Sequence, residues 1–129
     1  MSKRYLKHTY RDSASKLHRL VGNLLRKHPV FCSLNILQEY PIPGTKYHVD
    51  WFITELKIAI EVHGEQHYMP VRFGGISELE AERKLIAQQE RDRIKKKLCI
   101  DNGWRYVDFA YNDPIDLDLI GEKITKVLS

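Results

Sequence analysis

No stretch of this sequence approaches the roughly 18 to 20 consecutive apolar residues that a helix needs to cross a bilayer. The opening Met1-Ser2-Lys3-Arg4-Tyr5 runs into polar residues rather than the apolar core of a signal peptide. The expectation is a cytoplasmic protein with no membrane partner. Cysteine is nearly missing, since Cys32 and Cys99 stand far apart with no CxxC pair and no Cys/His cluster. That argues against a zinc finger or a disulfide framework and predicts two buried free thiols. Glycine and proline are also sparse, seven and five in 129 residues, and there is no repeat, low-complexity tract or linker-like composition. The reading is a single folded domain over 1–129, long enough to close a core without covalent staples. No nucleophile triad is visible, so covalent catalysis is not expected.

Acid is missing from one end. Residues 1 to 37 hold Lys3, Arg4, Lys7, Arg11, Lys16, Arg19, Arg26 and Lys27 against Asp12 alone, so the other 92 residues are net −3 in a chain of net charge +4. A basic helical segment over 1–30 suits a polyanion, because Lys and Arg displace counterions from phosphate backbones whatever the sequence. Asp12 or Ser13 can cap a first helix whose apolar stripe is Leu17, Leu20, Val21, Leu24 and Leu25, ending at His28-Pro29. Its other face carries Lys16, Arg19, Asn23 and Arg26. A second basic cluster comprises Arg91, Arg93, Lys95, Lys96 and Lys97. Lys16, Arg19, Arg26, Lys27, Arg91, Lys95 and Lys96 are the candidate backbone-binding cations, and a solvated helix face is the competing reading of either cluster.

The rest of the chain alternates in period. Leu34 to Tyr40 reads as a strand, broken by Pro41-Ile42-Pro43-Gly44-Thr45. Tyr47 to Ile53 alternates again, placing Tyr47, Val49, Trp51 and Ile53 opposite His48, Asp50 and Phe52. Lys57 to His63 is a third strand, with Ile58, Ile60 and Val62 opposite Ala59, Glu61 and His63. A loop through His67, Pro70 and Gly74-Gly75 leads to a charged helix from about Ser77 to Asp101, capped by Ser77 and ended at Asn102-Gly103. Trp104 to Tyr111 is a fourth strand and Pro114 to Leu128 a last helix. The predicted class is α/β (α+β): a central four-stranded mixed sheet flanked by helices, in the order α-β-β-β-α-β-α.

Two acids sit inside apolar strands. Asp50 lies between Val49 and Trp51, and Glu61 within Ile58-Ala59-Ile60-Glu61-Val62. Buried carboxylates are costly unless paired or metal-bound. If the two strands form a hairpin, both acids point to one sheet face and can share a hard cation such as Mg²⁺, which polarises a phosphate and lowers the pKa of a water. Acids that merely face solvent on a one-sided sheet are the alternative. His63 shares the face of Glu61, and His67 follows a glycine turn; either imidazole can relay protons near neutral pH.

The run Tyr47-His48-Val49-Asp50-Trp51-Phe52 through Ile60-Glu61-Val62-His63-Gly64-Glu65-Gln66-His67-Tyr68 resembles the core of the PD-(D/E)xK nuclease superfamily. The branch it looks like is that of the very-short-patch repair endonucleases. The stretches Gln89-Glu90-Arg91-Asp92-Arg93-Ile94-Lys95 and Asn102-Gly103-Trp104-Arg105-Tyr106-Val107 resemble the helix and final strand of small phage and bacterial proteins of that branch. The resemblance spans about Asp50 to Phe109 and implies a restriction-endonuclease-like fold. It implies that Asp50 and Glu61 bind metal with the Val62 carbonyl. His63 stands where the superfamily has its lysine, and His67 would serve as a further catalytic histidine at a different spacing. Glu65 and Gln66 would support the site from outside the metal ligands; on the long helix the three-residue spacing of Gln89 and Asp92 lets both face the site in the same supporting place, with a solvated, salt-bridged helix surface as the competing reading. The acid that the family often carries on its first helix has no counterpart here, so His18 or Asn23 would have to substitute.

The expectation is a phage- or mobile-element-encoded DNA endonuclease of the homing, nicking or junction-resolving kind. It would use Mg²⁺, or Mn²⁺ in its place, on duplex or branched DNA in a bacterial or phage-infected cell, as monomer or homodimer. The alternative is a nuclease-fold DNA-binding protein that has lost catalysis, with the lysine-to-histidine change as its trace.

Overall fold

The computed structural model describes residues 15–70 and 77–129. The elements are α1 (Lys16–Lys27), β1 (Ile36–Pro41), β2 (His48–Ile53), β3 (Ile58–His63), α2 (Glu78–Asp101), β4 (Arg105–Ala110) and α3 (Leu117–Leu128), with a 3-10 turn at Glu65–His67. The expected order and mixed sheet are therefore present. The strands lie in the order β1-β2-β3-β4; β1, β2 and β3 form an antiparallel meander, and α2 carries the chain back so that β4 pairs parallel to β3. Among the described residues no helix is long and apolar enough to cross a membrane.

The sheet separates two apolar cores. On one face Trp51, Ile53, Ile58, Ile60, Val107 and Phe109 are buried with Val21 and Leu25 of α1 and Ile120 and Ile124 of α3. On the other, Ile42, Val49, Phe52 and Ala59 pack with Cys99 of α2, under Tyr40, Trp104 and Tyr106. Trp51 is fully buried, and its indole N–H donates to the His18 carbonyl at 3.0 Å. Gly22 makes that approach possible: a Cβ there would lie 2.1 Å from Trp51 Cζ2. The aromatic ring therefore fixes how closely α1 lies on the sheet.

Helix α2 is different in kind. Of its 24 residues only Ala81 and Cys99 are buried, and Leu79 and Ile86 are exposed. Its capping matches its sequence: Ser77 accepts the Glu80 N–H at 3.1 Å, and Gly103 adopts φ +79° just beyond the C-cap Asn102.

Several details depart from the sequence reading. Ser15 caps α1, accepting from the His18 N–H, whereas Asp12 and Ser13 lie outside the described residues, as do Gly74 and Gly75. Leu20 is 40% exposed and His18 is buried instead, because the helix turns His18 toward Trp51. Val49 belongs to the core of Phe52 rather than that of Trp51. The alternation breaks there because β2 is no longer paired with β3 beyond Trp51, while Glu39 on the neighbouring strand takes φ +51°. Of the two free thiols, Cys99 is buried as expected but Cys32 is exposed, since it sits in the turn after α1 rather than in an element facing a core.

Candidate functional site

The last paired rung of β2 and β3 is Trp51 with Ile60. At the next rung Asp50 and Glu61 face each other, and their side chains replace the missing backbone bonds. The Asp50 N–H donates to Glu61 Oε2 at 3.3 Å, and the Val62 N–H donates to Asp50 Oδ2 at 2.7 Å. Two carboxylates are thereby fixed at the point where the strands part. Glu61 is 3% exposed, and Lys95 Nζ, from α2, lies 3.0 Å from its Oε1. Burial, then the negative charge of Asp50, raise Glu61 from 4.5 to about 8, against the pull of Lys95 and His63. Behind Asp50, His18 of α1 brings Nδ1 to 3.6 Å from Oδ1, and its Nε2 lies 3.2 Å from the Gln38 amide nitrogen of β1.

A second group continues along the same edge. His63, at the end of β3, and His67, in the 3-10 turn, bring their Nδ1 atoms within 3.1 Å. Both meet Asp92 of α2: His67 Nδ1 lies 2.7 Å and His63 Nδ1 3.7 Å from Asp92 Oδ2. On its other side, His63 Nε2 is 3.6 Å from Asp108 Oδ2 and 3.5 Å from the Tyr106 hydroxyl, both on β4. Burial pushes the His63 imidazole down, but Asp108, Asp92 and Glu61 outweigh it and hold it above its ordinary value. Burial likewise pushes the Asp92 carboxyl up, while His67, then Gln88, hold it below the usual carboxylate range. Asp108 is also held low, first by its bond to His63.

The fold thus brings together Asp50, Glu61, Val62, His63, His67 and Asp92 from elements up to 42 residues apart in sequence. Gln89 takes a supporting place, donating from Nε2 to the His67 carbonyl at 3.4 Å. Glu65 and Gln66 are exposed in the turn. Lys95, read from the sequence as a phosphate contact, is instead largely enclosed against Glu61, whereas Lys96 lies 5.5 Å over the Tyr106 ring and Arg91 bonds Gln88. Lys16, Arg19, Arg26 and Lys27 are exposed along α1. Of the two substitutes for a helix-one acid, His18 reaches Asp50 and Asn23 is exposed.

Four residues of the site were not singled out in the sequence: Gln38, Gln88, Tyr106 and Asp108. The signal for the last two was present in the alternation of Tyr106 and Asp108 with buried Val107 and Phe109. The parallel register then sets Glu61 beside Asp108 and Ala59 beside Tyr106. Comparison with protein-family models, with curated proteins and with solved structures finds no match to this chain.

Two carboxylates fixed side by side, one of them held far above its ordinary pKa first by burial and then by the charge of the other, make an oxygen donor set that a hard divalent cation would neutralise. The residues present therefore fit Mg²⁺ at Asp50 and Glu61.

Proposed function

We propose that this chain is a divalent-metal-dependent DNA endonuclease that hydrolyses phosphodiester bonds, with Asp50 and Glu61 at its centre. One observation carries the reading: two acids from adjacent strands meet at a splayed strand end, one of them buried, with a lysine on it. Asp50, Glu61 and the Val62 carbonyl would hold Mg²⁺. When bound, that ion supplies charge neutralisation at a scissile phosphate and lowers the pKa of a water.

The chain's own groups do the rest. Lys95 brings its ammonium to 3.0 Å from Glu61 and favours the ionised acid that a cation requires. It supplies beside Glu61 the ammonium that His63 lacks at the end of β3. His18 braces Asp50 from the α1 side, and Gln38 of β1 holds the far nitrogen of His18. The exposed Lys16, Arg19, Arg26 and Lys27 offer a phosphate backbone a cationic surface. The two histidines are less available as proton carriers, because both Nδ1 atoms are engaged with each other and with Asp92.

The test is incubation of supercoiled plasmid and four-way branched DNA with Mg²⁺ or Mn²⁺. Asp50→Asn and Glu61→Gln are each expected to slow cleavage at least about 100-fold. Cleavage that survives both substitutions overturns the assignment. DNA binding without cleavage of any substrate would favour the alternative of a nuclease-fold binding protein.

A further inference from the structure

The convergence of His63, His67 and Asp92 has no need of the Asp50/Glu61 pair and stands on different atoms. We propose that these three residues form a second cation site, one for a transition ion of the Zn²⁺ class rather than Mg²⁺.

The ligand atoms Nδ1, Nδ1 and Oδ2 form a triangle with edges of 3.1, 2.7 and 3.7 Å. A tetrahedral ion bound at about 2.0–2.1 Å requires ligand–ligand edges of about 3.3 Å, which these bracket. Hydrogen bonding accounts for the triangle less well. Each neutral ring nitrogen offers either one proton or one lone pair, so a proton on His67 Nδ1 that serves Asp92 at 2.7 Å cannot also fully serve a His63 Nδ1 lone pair 3.1 Å away. A cation accepts all three lone pairs at once.

The support around the three residues is what a metal centre requires. Each ligand comes from a separate element: the end of β3, the 3-10 turn and α2. The far nitrogen of His63 faces Asp108, and Gln88 donates to the other oxygen of Asp92 at 3.0 Å. Gln89 ties the His67 carbonyl to α2. Carboxylates behind ligating imidazoles orient the ring and raise its basicity. The three ligand side chains are 6, 14 and 19% exposed, so the ion would be enclosed on the protein side. Its open side meets a surface pocket of about 230 Å³ lined also by Tyr68, Gln89 and Asp108. There is room for a fourth, exchangeable ligand, as catalytic rather than structural zinc sites have. Two imidazoles and one carboxylate select a borderline transition ion, whereas Mg²⁺ prefers oxygen alone.

The experiment uses the full chain after chelator treatment, titrated with Co²⁺ and followed by visible absorption. With excess Mg²⁺ present to occupy the carboxylate pair, the expected result is one Co²⁺ per chain with d–d bands of a four- or five-coordinate centre, displaced by Zn²⁺. His67→Ala and Asp92→Asn should each weaken binding by at least about 100-fold. Far-UV circular dichroism checks that they remain folded, and the near-isosteric Asp92→Asn decides if His67→Ala does not fold. Glu61→Gln should bind Co²⁺ like the parent while losing Mg²⁺-dependent cleavage, which separates this site from the carboxylate pair. Absence of the bands overturns the proposal, as does binding unchanged by Asp92→Asn or lost only in Glu61→Gln.

Discussion

Replacing Glu61 with Gln should change how stability depends on pH, by an amount that follows from the burial of this one acid. Glu61 is 3% exposed, and burial followed by the charge of Asp50 raises its pKa from 4.5 to about 8. Between those two values the folded chain holds a proton that the unfolded chain has released. The preference for the protonated acid therefore contributes fully below about 4.5 and is lost as pH rises through about 8. One extra proton on the folded state means that unfolding free energy falls by about 1.4 kcal/mol per pH unit inside this window. Across the whole window the loss is on the order of 4–5 kcal/mol, a large part of the stability of a domain this size. Glutamine keeps the shape and does not ionise. Urea unfolding in the presence of chelator, from about pH 5 to pH 9, should show the variant gaining on the parent by about 1.4 kcal/mol per unit and levelling off beyond about pH 8. Taking the difference between the two proteins removes most of the contribution of His63, Asp92 and Asp108. Parallel pH profiles, or a difference that grows toward acid, would refute the reasoning. Added Mg²⁺ should flatten the parent's profile, because a bound cation takes the place of the proton.

Two further outcomes test the fold and the surface. Gly22→Ala places a methyl group 2.1 Å from the Trp51 ring, and neither the ring nor the helix backbone can yield cheaply. A loss of about 1–3 kcal/mol is expected, seen as a fall of several degrees in the thermal midpoint; an unchanged midpoint would mean that α1 does not rest on Trp51. Lys16→Ala and Lys27→Ala, on the exposed face of α1, should each lower the slope of log binding constant against log salt for duplex DNA by about one. A slope that does not move removes α1 from the interface.

The sequence was most informative where one residue decides one thing. Alternation of Ile58, Ile60 and Val62 with Ala59, Glu61 and His63 located the acid face of β3, and Ser77 and Gly103 marked the ends of α2. Asp50 and Glu61 could be placed together because a short connection leaves antiparallel neighbours little choice of register. What the sequence did not disclose depends on how elements meet. Lys95 stands in a run of basic residues on a nearly uniformly polar helix, and nothing local distinguishes it from Lys96. Only the crossing of α2 over the sheet directs one to Glu61 and the other to the Tyr106 ring. The role of Asp92 changed for the same reason, from outer support to a partner of both histidines. Asp108 became visible only with the parallel register of β3 and β4. Val49 departs from its expected face because strict alternation assumes a regular ladder, and the β2–β3 ladder ends at Trp51.

That ending has a consequence for how the two acids can be altered. Asp50 and Glu61 clasp the main chain as well as each other, since each accepts a backbone N–H that the parted strands leave over. Truncation to alanine strands a donor, at about 1–3 kcal/mol for each amide left in a buried setting, so a dead alanine variant reports folding and chemistry mixed together. Asn and Gln retain an oxygen at the clasp. Amide replacements therefore remove the charge of the acids while keeping the strand ends fastened, so the loss of a carboxylate and the loss of the fold can be told apart.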